Sequence, residues 1–374
     1  MILSTEEFAE LRDLFIRFAM VEGVSLNERA IADTVASTLR PLGIRVMEDG
    51  IGPSIGGNAG NLLCFPPDFR ASEPALLLTA HLDTVQPTAG LVPKVLPDRI
   101  TSDGTTILGA DNRMGLSILT FLLMQVVRRN LPHRNFFVVH TVGEELALYG
   151  ADRIDLSAYR LDGAYVFDSS RRPGIYVREC VGLYMFDAVF HGKAAHAGVA
   201  PEEGVNAVAL AAKAIGSMQI GRIDPTMTTN IGKIEGGGAT NIVPDRVSIS
   251  GEVRSFSAQR TRERLQQIEE GFRRAMGSQG RLEFSSAVDF EPYVLSPDAP
   301  FVARLERAIR AQGLTPQGIA YTGGSDANKY NAKGIPAVNL GIGAQKPHTL
   351  EEFLLLEDLA ASAGIAFELI RAED

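Results

Sequence analysis

Two side chains that can bind a metal ion or carry a proton stand at the end of a predicted buried strand. The stretch LLLTAHLDTV, residues 76–85, runs through apolar residues into His81 and Asp83. Side chains two positions apart in a strand point to the same face of the sheet. The Asp83 carboxylate can therefore hold one ring nitrogen of His81, which leaves the other nitrogen for a ligand or a proton.

Similar residues follow other predicted strands. Glu144 and Glu145 come after NFFVVHTV, Asp168 ends GAYVFD, His348 follows AVNLGIG, and Asp111 lies in a tight loop before a helix. In open α/β sheets, ligands gather at the carboxyl ends of the strands. Several carboxylates cannot crowd together as ions unless cations offset their charge. With two imidazoles and no thiolate, such a site suits zinc, or else cobalt or manganese.

Each of these residues also has an ordinary structural interpretation. Asp111 can cap the helix that follows it, which is a common role for aspartate. Glu144 and Glu145 can form a solvated turn, and Asp168 can simply end a strand. A single histidine such as His81 is more often a structural residue than a ligand. Taken one at a time, the residues leave both interpretations open.

The order of predicted elements indicates an α/β protein with two domains. A chain of 374 residues exceeds one comfortable core. Helices alternate with continuously apolar strands at first, which favours a mostly parallel sheet with helices on both faces. Near residue 180 the pattern changes to β-α-β-β-α-β, the order of a ferredoxin-like module. We therefore predict a large domain over 1–178 and 291–374, with 179–290 inserted.

Composition excludes several classes of function. The net charge is −9, whereas nucleic-acid and anionic-membrane surfaces need clustered lysine and arginine. No apolar run approaches the ~18 residues of a membrane span. The first residues lack the basic leader and apolar core of a signal peptide. The sequence thus predicts a cytoplasmic protein without nucleic-acid or membrane partners.

Nine short motifs resemble those of one known family, in the same order along essentially the whole chain. They are AHLDTV, LGADNRMG, TVGEE, FDSS, HGKAAHAG, GATNIVPD, GEVRS, YTGGSDAN and PHTLEEF. The chain resembles the M20 family of dinuclear zinc peptidases, and most closely its peptidase T-like branch. The resemblance implies a catalytic α/β domain interrupted by a lid domain, which mediates dimerisation in many members. A homodimer formed through residues 179–290 is the expectation.

The resemblance also assigns roles at the strand ends. It implies two divalent metal ions per subunit, zinc above all, with cobalt and manganese as alternatives. Asp83 falls where the family holds a carboxylate against a ligand histidine, and Glu144 falls at the general base that deprotonates a metal-activated water. The implied metal ligands are Asp111 as the bridge, His81 and Asp168 at the first metal, and Glu145 and His348 at the second.

Further roles are implied for the lid and for one loop. His196 matches a histidine that reaches the partner subunit's active site and hydrogen-bonds the developing oxyanion. Asn241 and Arg254 match residues that contact substrate, and an arginine can grip a carboxylate through two hydrogen bonds. Gly323 and Gly324 permit close approach of the substrate backbone, or form a plain turn.

The resulting expectation is hydrolysis of the amide bond of a short peptide, with release of its N-terminal residue. Carboxypeptidase and N-acyl-amino-acid deacylase activities are alternatives, because the same metals would cut either amide. A non-catalytic binding or scaffold protein, or a hydrolase with a single metal, are further alternatives. Asn112 stands where many relatives have a second aspartate. It is not an expected ligand, so the expected metal count is unchanged.

Overall fold

The computed structural model describes residues 3–372 and divides into two compact units. The first unit runs to Glu179 and continues through Val294–Tyr321 and from Ser325 onwards. The second comprises Cys180–Tyr293 together with Thr322–Gly324. The insertion therefore begins one residue later than the sequence indicates, and a short loop segment far along the chain belongs to it as well.

Ten α-helices lie within the described residues: α1 Thr5–Ala19, α2 Arg29–Leu39, α3 Ala110–Arg128, α4 Glu144–Ala147, α5 Tyr149–Arg153, α6 Ala207–Gly216, α7 Ala258–Met276, α8 Pro300–Ala311, α9 Asp326–Ala332 and α10 Leu356–Ile370. The strands are β1 Arg45–Glu48, β2 Leu62–Phe65, β3 Ala75–His81, β4 Lys94–Val95, β5 Arg99–Thr101, β6 Phe136–Thr141, β7 Leu161–Ser169, β8 Ile175–Cys180, β9 Gly182–His191, β10 Gly221–Asp224, β11 Met227–Gly236, β12 Arg246–Ser255, β13 Arg281–Phe290, β14 Tyr293–Val294, β15 Gln317–Tyr321, β16 Ala337–Gly341, β17 Ala344–Gln345 and β18 Phe353–Leu355.

The centre of the first unit is a parallel group of four strands. The sheet order is β1-β2-β6-β3-β7-β16-β8-β14, with β15 beside β8. Strand β3 runs parallel to β6 and β7, and β7 runs parallel to β16. All seven residues of β3 are buried, because both faces of the strand are covered. The α/β fold predicted from the sequence is confirmed, and the carboxyl ends of these strands meet at one edge.

Helices pack on this sheet in two groups. The long helix α3 packs on β3 and β7, and α1 and α10 pack on α3. Helix α9 packs on β7 and β16, and α5 packs on α9 and β6. A capping box begins α1: the Ser4 hydroxyl accepts the Glu7 N–H, and the Glu7 carboxylate accepts the Ser4 N–H.

The second unit is an antiparallel sheet with two helices. Its elements follow the order β9-α6-β10-β11-β12-α7-β13, which is the ferredoxin-like order with the short strand β10 added. The sheet order is β10-β11-β12-β9-β13. Residues of β12 alternate between buried and accessible, as expected for a strand with one covered face. Phe186, Phe190 and Phe272 lie at the centre of its core.

No α-helix among residues 3–372 combines the length and the apolar character needed to cross a bilayer.

Candidate metal centre

The five predicted ligands come from five separate segments of the first unit and converge at the carboxyl edge of its sheet. His81 is the last residue of β3, and Asp168 lies next to the end of β7. Asp111 lies at the start of α3 and Glu145 in α4. His348 lies between β17 and β18 in a left-handed backbone conformation, with φ of 65°.

Distances between their donor atoms fit a pair of coordination spheres. His81 Nε2 lies 3.4 Å from Asp111 Oδ1 and 3.3 Å from Asp168 Oδ1. His348 Nε2 lies 3.6 Å from Asp111 Oδ2 and 3.1 Å from Glu145 Oε1. Donors bound tetrahedrally to one zinc ion at its usual bond lengths stand about 3.3–3.6 Å apart. The side chains therefore fit two divalent cations, one beside each histidine.

Asp111 presents one carboxylate oxygen to each histidine, which is the arrangement of a bridging ligand. Its Oδ1 is buried and accepts no hydrogen bond from the described residues. Asp111 does not cap the helix, because the side chain of Asn112 accepts the Gly115 N–H at 2.9 Å instead. The capping interpretation of Asp111 is thus wrong, and its carboxylate is available to ligands.

The surroundings of His81 fix which of its two ring nitrogens faces the proposed ligands. Its Nδ1 lies 3.0 Å from the backbone oxygen of Asp83 and 3.3 Å from the Asp83 carboxylate. A carbonyl oxygen can only accept, so Nδ1 carries a proton, and Nε2 is the nitrogen that faces Asp111 and Asp168 and could bind a cation. Strand β3 ends at His81. Asp83 therefore reaches the ring from the segment after the strand, not from the same strand face.

The Asp83 carboxylate also holds the turn that carries the two glutamates. It accepts the backbone N–H groups of Glu144 and Glu145, each at 3.1 Å. Gly143 precedes them with φ of 61°, a conformation that favours glycine. The pair lies in the first turn of α4, after the end of β6. Two successive helical positions diverge, so the two carboxylates face different directions.

Burial and mutual repulsion dominate the electrostatics of the site. Burial raises the pKa of Glu144 well above its usual 4.5, and the negative charge of Asp168 raises it further. Burial likewise raises the pKa of Glu145 and of Asp168. Hydrogen bonds to Asp111 and Glu145 raise the pKa of His348 to about 10. Positive charge stabilises such a group of buried carboxylates. Cations that bound to the imidazole nitrogens would displace the protons there, so metal binding would release protons.

Two residues that support the ligands were missed by the sequence analysis. Asn112 Nδ2 donates to the Phe167 carbonyl at 2.8 Å and to Asp168 Oδ1 at 3.2 Å. Glu352 accepts the N–H groups of Gly109 at 2.6 Å and Asp111 at 3.0 Å, so it fixes the loop that carries the bridging residue. Glu352 lies within the motif PHTLEEF, and its position four residues after His348 was the available signal.

Three other polar residues near the site, one half-buried and two buried, were also missed. Ser25 and Glu28 precede α2, and Asp326 begins α9. Asp326 accepts the Thr141 hydroxyl at 2.6 Å, and burial raises its pKa to about 7. An acidic residue in YTGGSDAN was visible in the sequence, but nothing local distinguishes it from an exposed helix start.

In the second unit, His196 and Asn241 lie on neighbouring segments. His196 Nδ1 accepts the N–H groups of Gly198 at 3.1 Å and Val199 at 3.2 Å. The proton is thereby fixed on Nε2, which is able to donate, and the residue is accessible. The next residue, Ala197, donates its N–H to the Asn241 carbonyl at 2.9 Å.

Arg254 is held along one edge of its guanidinium group. Nε lies 2.8 Å and Nη2 3.3 Å from the Glu252 carboxylate, and Nη1 donates to the Thr322 carbonyl at 3.2 Å. Of the five N–H donors, one on each Nη stays available for a carboxylate. At Gly324 an added Cβ would lie 2.4 Å from the Phe290 ring. The contact with Phe290 by itself explains why position 324 needs a glycine. The carbonyl of the neighbouring Gly323 accepts a hydrogen bond from Cys180 Sγ at 3.0 Å.

Comparison with known proteins places the chain in a family. An M20 family model described as "Peptidase dimerisation domain" matches residues 180–278. The crystal structure of aminopeptidase PepT from Bacillus cereus ATCC 10987 is 35% identical, covers 97% of this chain and 98% of that chain, and has a TM-score of 0.89. A tripeptidase structure from Staphylococcus aureus subsp. aureus Mu50 is 33% identical, covers 99% of this chain and 98% of that chain, and has a TM-score of 0.92. The chain belongs to the M20 peptidase family.

Within the M20 family the protein falls in the peptidase T-like branch, as its motifs indicated, and that resemblance is confirmed. The protein YqjE of Bacillus subtilis is a further relative, 33% identical over 96% of this chain and 97% of its own length. Membership makes this protein a metallopeptidase, in the class of hydrolases. The matched dimerisation domain, residues 180–278, lies within the second unit.

Proposed function

We propose that this M20 protein is an aminopeptidase that hydrolyses short peptides and releases the N-terminal residue. The observation that carries the proposal is the convergence of the five proposed ligands, with a further carboxylate beside them. That carboxylate is Glu144, which lies 3.9 Å from His81 Nε2 and is not needed as a ligand. The full-length likeness to an aminopeptidase and to a tripeptidase supports the choice of substrate.

Two divalent cations per subunit would occupy the centre. His81 and Asp168 would hold the first, Glu145 and His348 the second, and Asp111 would bind both. The nitrogen and oxygen donors, without thiolate, favour zinc over softer ions, with cobalt and manganese as the metals to compare. When bound, such a pair polarises the substrate carbonyl, lowers the pKa of a water molecule and offsets the charge of the carboxylates.

Glu144 would act as general base and then as general acid. Its Oε2 lies 3.9 Å from His81 Nε2, so it borders the site without replacing a ligand. It would take a proton from the attacking water and deliver it to the leaving amine. Its buried position suits this exchange, because burial raises the pKa of the carboxyl above its usual 4.5 and so strengthens it as a base.

Residues of the second unit would bind the substrate and the developing charge. The Nε2–H of His196 is the donor proposed for the oxyanion, supplied to the partner subunit's site. Asn241 lies beside it in the same unit. Arg254 would take the peptide carboxylate through the two N–H groups that Glu252 and Thr322 leave available. Gly323 and Gly324 would lie near the substrate backbone.

We propose a homodimer formed through the second unit as the active assembly. The match of residues 180–278 to a peptidase dimerisation domain supports this assembly. A trans role for His196 requires it, because the oxyanion donor would otherwise have to come from the same chain.

A substrate panel tests the proposal. The wild-type protein, loaded with zinc, cobalt or manganese, is offered tripeptides, N-blocked dipeptides and acetylated amino acids. We expect release of the N-terminal residue from tripeptides. Glu144→Gln at full metal loading should lower kcat by ~10²–10⁴-fold, the range of general acid–base catalysis. The matched control Glu6→Gln, at an exposed position of α1, should keep wild-type activity. Preference for blocked substrates, or full activity of Glu144→Gln, would contradict the proposal.

A further inference from the structure

The segment between α1 and α2 reaches the turn that carries Glu144. Its residue Gly23 accepts the N–H of Thr84 at 2.9 Å, and Val24 forms a parallel bridge with the same residue. The next residue, Ser25, donates its hydroxyl to Oδ2 of Asp83 at 2.7 Å. That bond is shorter than the two that the Asp83 carboxylate accepts from the Glu144 turn, and it comes from 58 residues away in sequence.

Glu28 completes the contact from the same segment. It is fully buried, and its Oε1 accepts the N–H groups of Leu26 and Gly143, both at 2.9 Å. Leu26 has φ of 69°, in the left-handed region that a leucine seldom adopts. Its carbonyl accepts the N–H of Asn58 at 3.0 Å. Such a conformation persists only where the surroundings fix it, and here Glu28 ties it to the 143–145 turn.

Three successive backbone N–H groups therefore donate hydrogen bonds to two buried carboxyl groups. Gly143 donates to Glu28, while Glu144 and Glu145 both donate to Asp83. These are the free N–H groups at the start of the short helix α4, and hydrogen bonds to carboxylates are among the strong ones. The direction in which the Glu144 side chain leaves the backbone is thus set by residues outside its own element.

We infer that Ser25 and Glu28 are positioning residues for the general base. Ser25 fixes the Asp83 carboxylate, Glu28 fixes Gly143, and together they hold the backbone at which Glu144 and Glu145 diverge. Within residues 3–372, their hydrogen bonds reach the proposed cation ligands through Asp83 and this turn. The catalytic part of this inference depends on the proposed function, since it takes Glu144 as the base. A displacement of about 1 Å in a catalytic group can cost ~10²-fold in rate.

The test uses Ser25→Ala and Glu28→Gln in the full-length protein, with Ser25→Thr as the conservative variant. Ser37→Ala and Glu22→Gln are matched controls, because both residues are exposed and lie near the same helices. Hydrogen exchange of the Gly143, Glu144 and Glu145 amides is measured first. We expect about 10-fold faster exchange in both variants, because Ser25→Ala removes the donor that fixes the Asp83 carboxylate and Glu28→Gln weakens the acceptor of the Gly143 N–H. In Ser25→Thr, the exchange rates should return to the wild-type values.

Kinetics and metal content complete the experiment. We expect kcat to fall about 10-fold in Ser25→Ala and Glu28→Gln, with KM and the metal content per chain unchanged and with recovery of kcat in Ser25→Thr. Unchanged exchange and kcat in both variants would overturn the inference. A fall in melting temperature with unaltered kcat would overturn it as well, because the residues would then be merely structural. If the wild type hydrolyses no peptide while exchange still accelerates, the proposed function fails and the contact to the turn stands.

Discussion

The side-chain amide of Asn112 donates a hydrogen bond to Oδ1 of Asp168, over 3.2 Å. The same oxygen lies 3.3 Å from His81 Nε2. Asn112 thereby orients a proposed metal ligand that lies 56 residues away in the sequence. Its side-chain oxygen also accepts the N–H of Gly115, which lies in the first turns of α3.

Asn112→Ala should weaken binding of the cation beside His81. The variant loses the amide that orients Asp168, and loss of such supporting hydrogen bonds typically lowers metal affinity by ~10–100-fold. The metal affinity is measured by competition with a chelator, as the fraction of metal that the protein retains at each chelator concentration. Asn230→Ala, at an exposed position of the second unit, is the control. Equal affinities in Asn112→Ala and the control would remove the supporting role.

Arg254→Lys should impair binding of peptides that end in a free carboxylate. Lysine cannot present the two parallel N–H groups that Arg254 keeps available. Loss of a charged hydrogen bond corresponds to about 10-fold or more in KM for tripeptides. Substrates amidated at the C-terminus should show no difference from wild type. Arg246→Lys, exposed on the same strand, is the matched control. An equal rise in KM for peptides with a free C-terminal carboxylate and for amidated peptides would contradict the proposed role of Arg254 in binding that carboxylate.

Mixing His196→Ala with Glu144→Gln should restore activity if His196 acts across a dimer. Each variant alone lacks one group at every site, whereas a mixed dimer has one complete site. Random exchange of subunits should therefore give about a quarter of wild-type activity. Subunit exchange must be demonstrated independently, for example with differently tagged chains. Demonstrated exchange without recovery would remove the trans role of His196.

His140 should make the protein less stable as the pH falls. It is fully buried on β6, and burial lowers its pKa from 6.5 to about 3. Between those values the unfolded chain binds a proton that the folded protein does not. The free energy of unfolding therefore decreases with falling pH, by up to about 1.4 kcal/mol per unit from this residue.

His140→Leu removes this contribution. Neither ring nitrogen of His140 makes a hydrogen bond of normal geometry among the described residues, and a backbone contact with Ala80 only partly offsets the effect of burial on its pKa. Urea titrations at pH values from 4 to 6.5, a range chosen from the two pKa values, should show a shallower decline in unfolding free energy for His140→Leu than for wild type. Parallel declines in the two proteins would show that His140 does not titrate as its burial requires.

Sequence patterns predicted the parts of the site that depend on local order. Apolar strands such as β3 and β6 indicated a parallel sheet, and parallel strands bring their carboxyl ends to one edge. That relationship was sufficient to predict that His81 and Asp168 lie close together.

The supporting contacts could not be predicted in this way. Glu28 meets Gly143 across 115 residues, and Glu352 meets Gly109 across 243 residues. No periodicity relates such positions, so only the tertiary structure brings them together. Asp83 is a similar case. Two residues at i and i+2 share a strand face only if the strand contains both, but β3 ends at His81, two residues before Asp83. The spacing of two residues placed Asp83 beside His81 but gave no sign of its hydrogen bonds to the Glu144 turn.

Metal content per chain tests the central claim most directly. Wild-type protein reconstituted with zinc and freed of loosely bound ions should contain two equivalents per chain. His348→Ala should retain one, because the ligands beside His81 persist, and Asp111→Ala should retain fewer than one, because both sites lose their shared carboxylate. Full occupancy in Asp111→Ala, or a fully active wild type with no bound metal, would contradict the two-cation centre on which the account depends.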